Sequence, residues 1–291
     1  MKDLICPICS AFSIKPHLEI KDKLKPESGT FRLHRCKNCG FIFLFPKPQN
    51  IELGKYYIRA YWQKRGKSLV DKIYYFVVNY TKLNQIRHYK KSGKLLDVGC
   101  GSGEFLDFTR RNGFEVWGTE IFKFAAELAK KFTNNICINF LTNCKFESNS
   151  FDVVNLTDVL HQMSEPENEL KEIRRIIKSD GILVIEVPDS DCWQFKLFKQ
   201  DWFYQDSPRH ISYFNQRNLS LLLKKCCFNV VSLRRLALVY ILDFFHSASQ
   251  KLIHKPKIIK SFLKPVLLSV SIIIKLFPLS RGSIRIIARP V

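Results

Sequence analysis

The sequence predicts an α/β chain: a doubly wound sheet of parallel strands with helices between them, preceded by a small metal-bound module. Three observations carry this reading. Apolar runs of strand length alternate with helical patterns through the middle of the chain. One run, Leu95-Leu96-Asp97-Val98, breaks into Gly99-Cys100-Gly101-Ser102-Gly103 and resumes as a helix at Glu104-Phe105-Leu106. Two Cys-x-x-Cys pairs stand near the start.

With 291 residues, 46% of them hydrophobic, the chain can bury one substantial core and a small satellite. No signal-peptide pattern opens it, so a cytoplasmic location is expected. Its ten cysteines are then expected as metal ligands or small packed hydrophobes, and disulfides are not expected. The net charge of +21 is concentrated at the ends. Residues 1–91 carry 19 Lys or Arg against 6 acids, residues 92–243 carry 19 against 20, and residues 244–291 carry 9 against none. Basic flanks around a neutral centre suit an anionic surface, whether membrane, phosphorylated substrate or RNA, or reflect a lysine-rich composition.

Residues 1–48 read as a zinc ribbon. Cys6-Pro7-Ile8-Cys9 and Cys36-Lys37-Asn38-Cys39 are knuckles 26 residues apart, and their four thiolates can close a tetrahedron around zinc. Ile14–Ile20, Phe31–His34 and Phe41–Phe45 are the expected strands. Four sulfur ligands leave no open position for chemistry, so the metal is expected chiefly to staple a module too small for its own core. A linker, Pro46-Lys47-Pro48, follows. Residues 49–91, rich in aromatics and lysine at helical spacing, form a lead-in expected to close over a ligand crevice.

Residues 92–291 supply the main unit. Strands are expected at 94–98, 115–119, 136–139, 151–156 and 181–187, with helices at 105–112 and 123–132. Gly99, Gly101 and Gly103 permit a tight turn that brings backbone close to a ligand, and the helix start offers its amides. The second strand ends at Glu120, where a carboxylate can accept both hydrogen bonds of a ribose diol. The rhythm Asp97-x-Gly99-x-Gly101-x-Gly103 departs from Gly-x-Gly-x-x-Gly, and its acid would repel a pyrophosphate. A cationic, nucleoside-containing cofactor fits better.

These motifs continue through Phe151-Asp152-Val153-Val154, Asp158-Val159-Leu160 and Leu183-Val184-Ile185-Glu186-Val187-Pro188. Together they resemble the class I S-adenosylmethionine-dependent methyltransferases over roughly residues 92–236. The resemblance implies a Rossmann-like seven-stranded sheet that ends in an antiparallel hairpin, Phe228–Leu236 with Ser283–Arg289, so that residues 237–282 are a helical insertion before the last strand. It implies S-adenosylmethionine as cofactor, held by Asp97, Gly99, Gly101, Gly103, Glu120 and Asp158. Many relatives turn an acid to the adenine after the third strand; Asn139–Asn143 has none, which leaves Asn143 or backbone. Tyr56, Tyr57 and Tyr61 match an aromatic cluster near the methionine end. Relatives often read Asp-Val-Leu-Glu-His after the fourth strand. Here Asp158-Val159-Leu160-His161-Gln162 shifts the histidine by one place, and no role is carried to His161.

The segment Trp202 to Ile211, with Pro208-Arg209-His210, resembles one in zinc-ribbon methyltransferases associated with sugar and cell-envelope biosynthesis. That implies a small-molecule, saccharide or lipid-linked acceptor, methylated on oxygen more readily than on carbon or nitrogen. His210, with an imidazole pKa of about 6.5, would take the proton, and Arg209 would hold a substrate phosphate or carboxylate. The alternatives are an RNA methyltransferase that binds through the basic ribbon and a non-catalytic scaffold. The absence of an Asn/Asp-Pro-Pro-Tyr-type motif after strand four weighs against methylation of base amino groups. The insertion is apolar and lysine-studded, and Lys264, Pro265, Lys275 and Pro278 interrupt its longest apolar stretch. It is expected to lie on the inner face of a membrane rather than cross it, or to act as a lid or oligomer contact.

Overall fold

The computed structural model describes residues 4–48, 54–57, 69–236, 243–252, 263, 265–271, 273 and 282–291. The ribbon is an antiparallel meander of β1 (Ile14–Lys21), β2 (Thr30–Cys36) and β3 (Ile42–Leu44). Helix α1 (Leu69–Arg87) leads into β4 (Gly93–Val98), α2 (Glu104–Arg110), β5 (Phe114–Thr119), α3 (Lys123–Ala129), β6 (Ile136–Cys137) and β7 (Phe151–Thr157). Then come α4 (Pro166–Ile176), β8 (Ile177–Pro188), α5 (Trp193–Phe198), β9 (Ser212–Tyr213), α6 (Gln216–Lys225), β10 (Phe228–Leu236), α7 (Asp243–Lys251) and β11 (Ser283–Pro290).

Seven strands form the main sheet in the order β10-β11-β8-β7-β4-β5-β6. The run from β8 to β6 is parallel, while β11 is antiparallel to both β8 and β10. The predicted hairpin at the edge is therefore present. Between its strands the structure describes α7 and helical residues 263, 265–271 and 273. Among the described residues no helix is long and apolar enough to cross a membrane.

Both faces of the sheet are covered, as the apolar strands require. Leu96, Val98, Val154, Leu156, Leu183 and Ile185 pack with α4 and α6, while their neighbours Leu95, Val153, Ile182 and Val184 pack with α1, α2 and α3. This alternation is the two-residue period of a pleated strand. The helices are cut by local chemistry. Pro166 starts α4, whose first turn carries Glu167 and Glu169 and whose last carries Arg174 and Arg175, each sign opposing the helix dipole. Asn215 and Asn218 close a reciprocal capping box on α6.

The ribbon has no separate core. Cys6, Ile8, Cys36, Cys39, Phe41 and Phe43 belong to the same apolar cluster as Leu96, Val98 and Phe214 of the main unit. Its sheet is completed from there too: β9 adds to β3, pairing Ile42 with Tyr213 and Phe43 with Ser212. Two residues of strand, embedded among turns, give too short a pattern to be read in sequence.

Candidate active site

The carboxyl ends of β4, β5 and β7 carry the expected crevice. Gly99, Gly101 and Gly103 have φ of 70°, 56° and 88°, the left-handed region that side chains avoid. At Gly99 a Cβ would also lie 2.6 Å from Val159 Cγ2. Glu120 sets the loop's shape from the next strand: its Oε2 accepts the Gly101 amide at 2.9 Å and its Oε1 accepts the Phe122 amide at 2.9 Å. Burial raises its pKa, against the pull of those amides. Each carboxylate oxygen retains a second lone pair, so the acid can hold the loop and still accept from a diol.

Beneath α1 the strands change character toward their carboxyl ends. Leu95 gives way to Asp97, Val153 to Asn155 and Thr157, and Val184 to Glu186, all on the α1 face. These groups form two hydrogen-bonded chains side by side. Asn155 Nδ2 donates to Asp97 Oδ1 (2.6 Å), Thr157 Oγ1 to Asn155 Oδ1 (3.1 Å), and Lys82 Nζ to Thr157 Oγ1 (2.9 Å). Arg285 Nε donates to Glu186 Oε2 (2.7 Å), and Arg285 Nη1 to Gln85 Oε1 (3.2 Å). Lys82 also lies 3.6 Å over the Phe105 ring. Burial pushes Asp97 up to about 6, although Lys82 and Asn155 oppose the shift, and burial likewise lowers Lys82. Asp97 places an acid where the cationic cofactor is expected.

Asp158, at the end of β7, adopts φ 57° and donates its amide to the Glu186 carbonyl at 2.9 Å. Its own carbonyl accepts Gln162 Nε2 (2.7 Å), and Gln162 Oε1 accepts the Tyr57 hydroxyl (2.6 Å). The Tyr57 ring sits 4.6 Å from that of Phe122, which ties the end of β7 to the end of β5. Tyr61 lies outside the described residues, and Tyr56 contributes its carbonyl to Arg209. Asn143 is exposed in the turn Leu141–Asn143, its amide nitrogen on Asn139 Oδ1 at 3.1 Å. One expectation is corrected in this loop: Cys137 and Cys144 form a disulfide. The chain reverses after β6 and brings their Cα atoms to 6.0 Å, within bridging range, a local contact that compartment arguments do not address.

His210 is not the open base that the sequence predicts. A carbonyl can only accept, so the 2.8 Å contact with the Tyr204 carbonyl places a proton on His210 Nδ1 and leaves a lone pair on Nε2. That lone pair faces His161 Nε2 at 3.1 Å, which must donate. The network thus assigns the free lone pair to His161 Nδ1, a buried atom without a partner. Burial, the dominant cause for both rings, pushes both pKa values below the ordinary 6.5, so the pair is neutral at pH 7.

Arg209, expected to hold a substrate anion, is wholly committed within the chain. It is fully buried, and its five N–H groups reach Asp22, Asp206 and the Tyr56 carbonyl at 2.6–3.1 Å. Asp22 follows β1, so this guanidinium fastens the ribbon to the main unit. The four ribbon thiols lie within 4.8 Å of one another, with Cys6–Cys39 and Cys9–Cys36 each at 3.6 Å. Sulfurs about 2.3 Å from a tetrahedral zinc stand about 3.8 Å apart, so the residues fit that metal. Asn38 Nδ2 supports Cys9 Sγ at 3.4 Å from outside the cluster.

Lys82 and Asp22 are not legible in the sequence as site residues, while the segment from Asn155 to His161 is expected to line the crevice with no role for His161. Asn79, Lys82 and Gln85 share the buried side of α1 with Ile86, a spacing signal masked by the abundance of lysine. For Asp22, whose partner is 187 positions away, the sequence carries no local sign.

A family model described as a methyltransferase domain matches residues 63–233, more than half of the chain. A ubiquinone biosynthesis O-methyltransferase of Glaesserella parasuis is 26% identical over 103 residues, 32% of this chain and 44% of that protein. Eight curated relatives, this one among them, are spanned over 44–64% of their own lengths. Among solved structures, a SAM-dependent methyltransferase from Archaeoglobus fulgidus superposes with a TM-score of 0.51 at 17% identity, covering 74% of this chain and 93% of the other. Geranyl diphosphate C-methyltransferase from Streptomyces coelicolor gives 0.53 at 14% identity, covering 80% and 88%. At such identity these two likenesses establish the fold alone, a class I methyltransferase sheet. The glycine loop fixed on Glu120, the seven-strand order and the family match lead to one conclusion: this chain belongs to the methyltransferase-domain family.

Proposed function

We propose that the chain transfers a methyl group from S-adenosylmethionine to an oxygen of a saccharide or lipid-linked acceptor. The observation that carries the cofactor reading is Glu120, buried and already bonded to the Gly101 amide, beside a Gly99 that leaves no room for a side chain. When bound, S-adenosylmethionine supplies an electrophilic sulfonium methyl. Gly99, Gly101 and Gly103 would admit it, Glu120 would hold its ribose, and Asp97 would attract its positive end. The proton released by a hydroxyl acceptor would pass to His161 Nδ1, with His210 holding the His161 tautomer through Nε2. His210 is thereby a positioning residue. Partial matches to a ubiquinone biosynthesis O-methyltransferase and to a ubiquinone/menaquinone biosynthesis C-methyltransferase do not separate oxygen from carbon as the acceptor atom.

Zinc at Cys6, Cys9, Cys36 and Cys39 would serve as a closed structural site in this reading. Peripheral contact with anionic lipid is part of it as well. Ile73, Phe76, Val77 and Tyr80 form an exposed row at helical spacing on α1, and Leu263, Val266, Leu268 and Ile273 are exposed in the insertion.

Calorimetry tests the core of the proposal. Glu120→Ala removes a charged acceptor and strands two amides, at about 1.5–3 kcal/mol, so S-adenosylmethionine should bind roughly 10- to 150-fold more weakly. Unchanged affinity would remove the cofactor assignment. Labelled methyl supplied with saccharide, lipid-linked saccharide and RNA then separates the acceptor classes; label in RNA alone would favour the basic ribbon as a nucleic-acid surface.

A further inference from the structure

A second group of polar side chains lies beyond β8, unused by anything above. Ser190 Oγ, Trp193 Nε1, Gln194 Oε1 and Nε2, and Ser283 Oγ are all buried and have no hydrogen-bond partner. Gln194 is completely inaccessible, yet neither end of its amide is satisfied. Native folds leave few such groups, and an amide orphaned at both ends is a rarity. Chain connectivity and strand pairing bring the backbones of these four residues to one end of the sheet. Ser190 and the start of α5 follow the carboxyl end of β8, and Ser283 opens β11 opposite Pro188. The Asp189 amide bonds the Gly282 carbonyl at 2.9 Å, which closes the same corner. A Cβ on Gly282 would collide with the Asp243 carboxylate and reach the Tyr204 ring, so α7 and Tyr204 wall it. Tyr204 is also the residue whose carbonyl fixes His210, which sets this corner beside the histidine pair.

We propose that this corner is the acceptor subsite and that it binds the hydroxyl groups of a saccharide. The assignment rests on the methyl-transfer reading above. The orphan set is mixed and neutral: the indole and amide N–H need acceptors, the amide oxygen needs a donor, and the serines can be either. A hydroxyl both donates and accepts, so adjacent hydroxyls of a sugar match all of them. A phosphate does not, because it brings only acceptors and would face the carboxylates of Asp189 and Asp243. Arg235, the cation at Asp189, is held there at 3.5 Å. Trp193, with its ring centroid 5.8 Å from that of Phe244, provides the flat apolar surface that a pyranose C–H face covers.

Two measurements on the zinc-loaded chain test this, in the presence of S-adenosylhomocysteine and a panel of methyl hexosides and methyl 6-deoxyhexosides. Gln194→Leu removes an unsatisfied amide, so without sugar it should melt about 2 °C or more above wild type, since a structural glutamine would show the reverse. With sugar, members of the panel should raise the melting temperature of wild type, and Gln194→Leu should weaken their binding at least about 10-fold while leaving S-adenosylhomocysteine affinity unchanged. Ser283→Ala should behave in the same direction. A variant that melts lower than wild type, or a panel in which no sugar stabilises the S-adenosylhomocysteine complex, overturns the subsite and leaves the cofactor reading standing. If S-adenosylhomocysteine itself gives no shift, the methyl-transfer reading falls, and the subsite with it.

Discussion

Replacing Arg209 by Met separates a structural staple from a substrate clamp. The guanidinium is fully buried, Asp22 is nearly so, and all five N–H groups are spent on Asp22, Asp206 and Tyr56. Methionine keeps much of the volume and strands the Asp22 carboxylate in a dry site, which costs about 3–5 kcal/mol. At about 2–4 °C per kcal/mol for a chain of this class, the melting temperature should fall by about 6–20 °C. Pairing Arg209→Met with Asp22→Leu should recover part of the loss, because an apolar pair of similar volume avoids the unpaired charge. Burial works to raise the Asp22 pKa, and the Arg209 hydrogen bonds outweigh it, leaving the carboxyl below its ordinary 3.8. A depressed folded pKa means that the pair's stabilisation is present above about pH 4 and is lost as pH falls through the folded value, so the variant and wild type should converge in acid. Thermal unfolding with and without the second substitution decides the matter. A variant that melts like wild type but turns over with a raised KM would return Arg209 to the substrate.

The remaining expectations concern the histidines, the metal and lipid. Because burial lowers both pKa values, kcat/KM should begin to fall toward acid only at lower pH than an ordinary imidazole base would give, and His161→Asn should lower kcat by roughly 10²-fold with S-adenosylmethionine affinity retained. If His210→Asn alone abolished turnover while His161→Asn left it intact, the assigned order of the pair would be reversed. Elemental analysis should find one zinc per chain, and stripping it with chelator should lower the melting temperature; a metal-free chain of unchanged stability would contradict the staple. Sedimentation with anionic vesicles should carry the full chain down in a salt-sensitive way, and Phe76→Asp should reduce it, whereas a chain left in the supernatant would assign the exposed α1 row elsewhere.

What could be read in advance follows from the range of the interactions involved. The glycine loop, Glu120 and the Cys-x-x-Cys knuckles are local arrangements in which a few consecutive residues fix both conformation and chemistry, and the structure brings each set together. The strand-helix alternation was legible because periodicity is also local. Arg209 and His210 stood out as polar residues in a recognisable segment, but their roles depend on partners from β1 and from the end of β7. Arg209 spends its donors on Asp22, Asp206 and the Tyr56 carbonyl, while His210 gives its Nδ1 proton to the Tyr204 carbonyl and accepts from His161, facts that only the tertiary contacts contain. The Cys137–Cys144 bond escaped for the opposite reason: it is short-range, but it depends on a chain reversal after β6 that polar loop residues do not specify.

The ribbon and the histidine pair are parts of one hydrogen-bonded path. Leu44, at the end of β3, donates its amide to the Ile211 carbonyl at 2.9 Å, and the Ile211 amide donates to the His161 carbonyl at 3.0 Å. Residues 212 and 213 then pair with β3 itself. The backbone that carries His210 is therefore laid down on the ribbon's last strand, and His161 hangs from the same ladder. Cys36 ends β2 and Cys39 precedes β3, so a metal closing the four thiols would fix the turn that delivers β3 to this position. Arg209 adds a second, electrostatic fastening from the far end of β1. A four-thiol site with no open coordination position would thus act on chemistry by holding the strand against which two neutral imidazoles are aligned, without touching substrate.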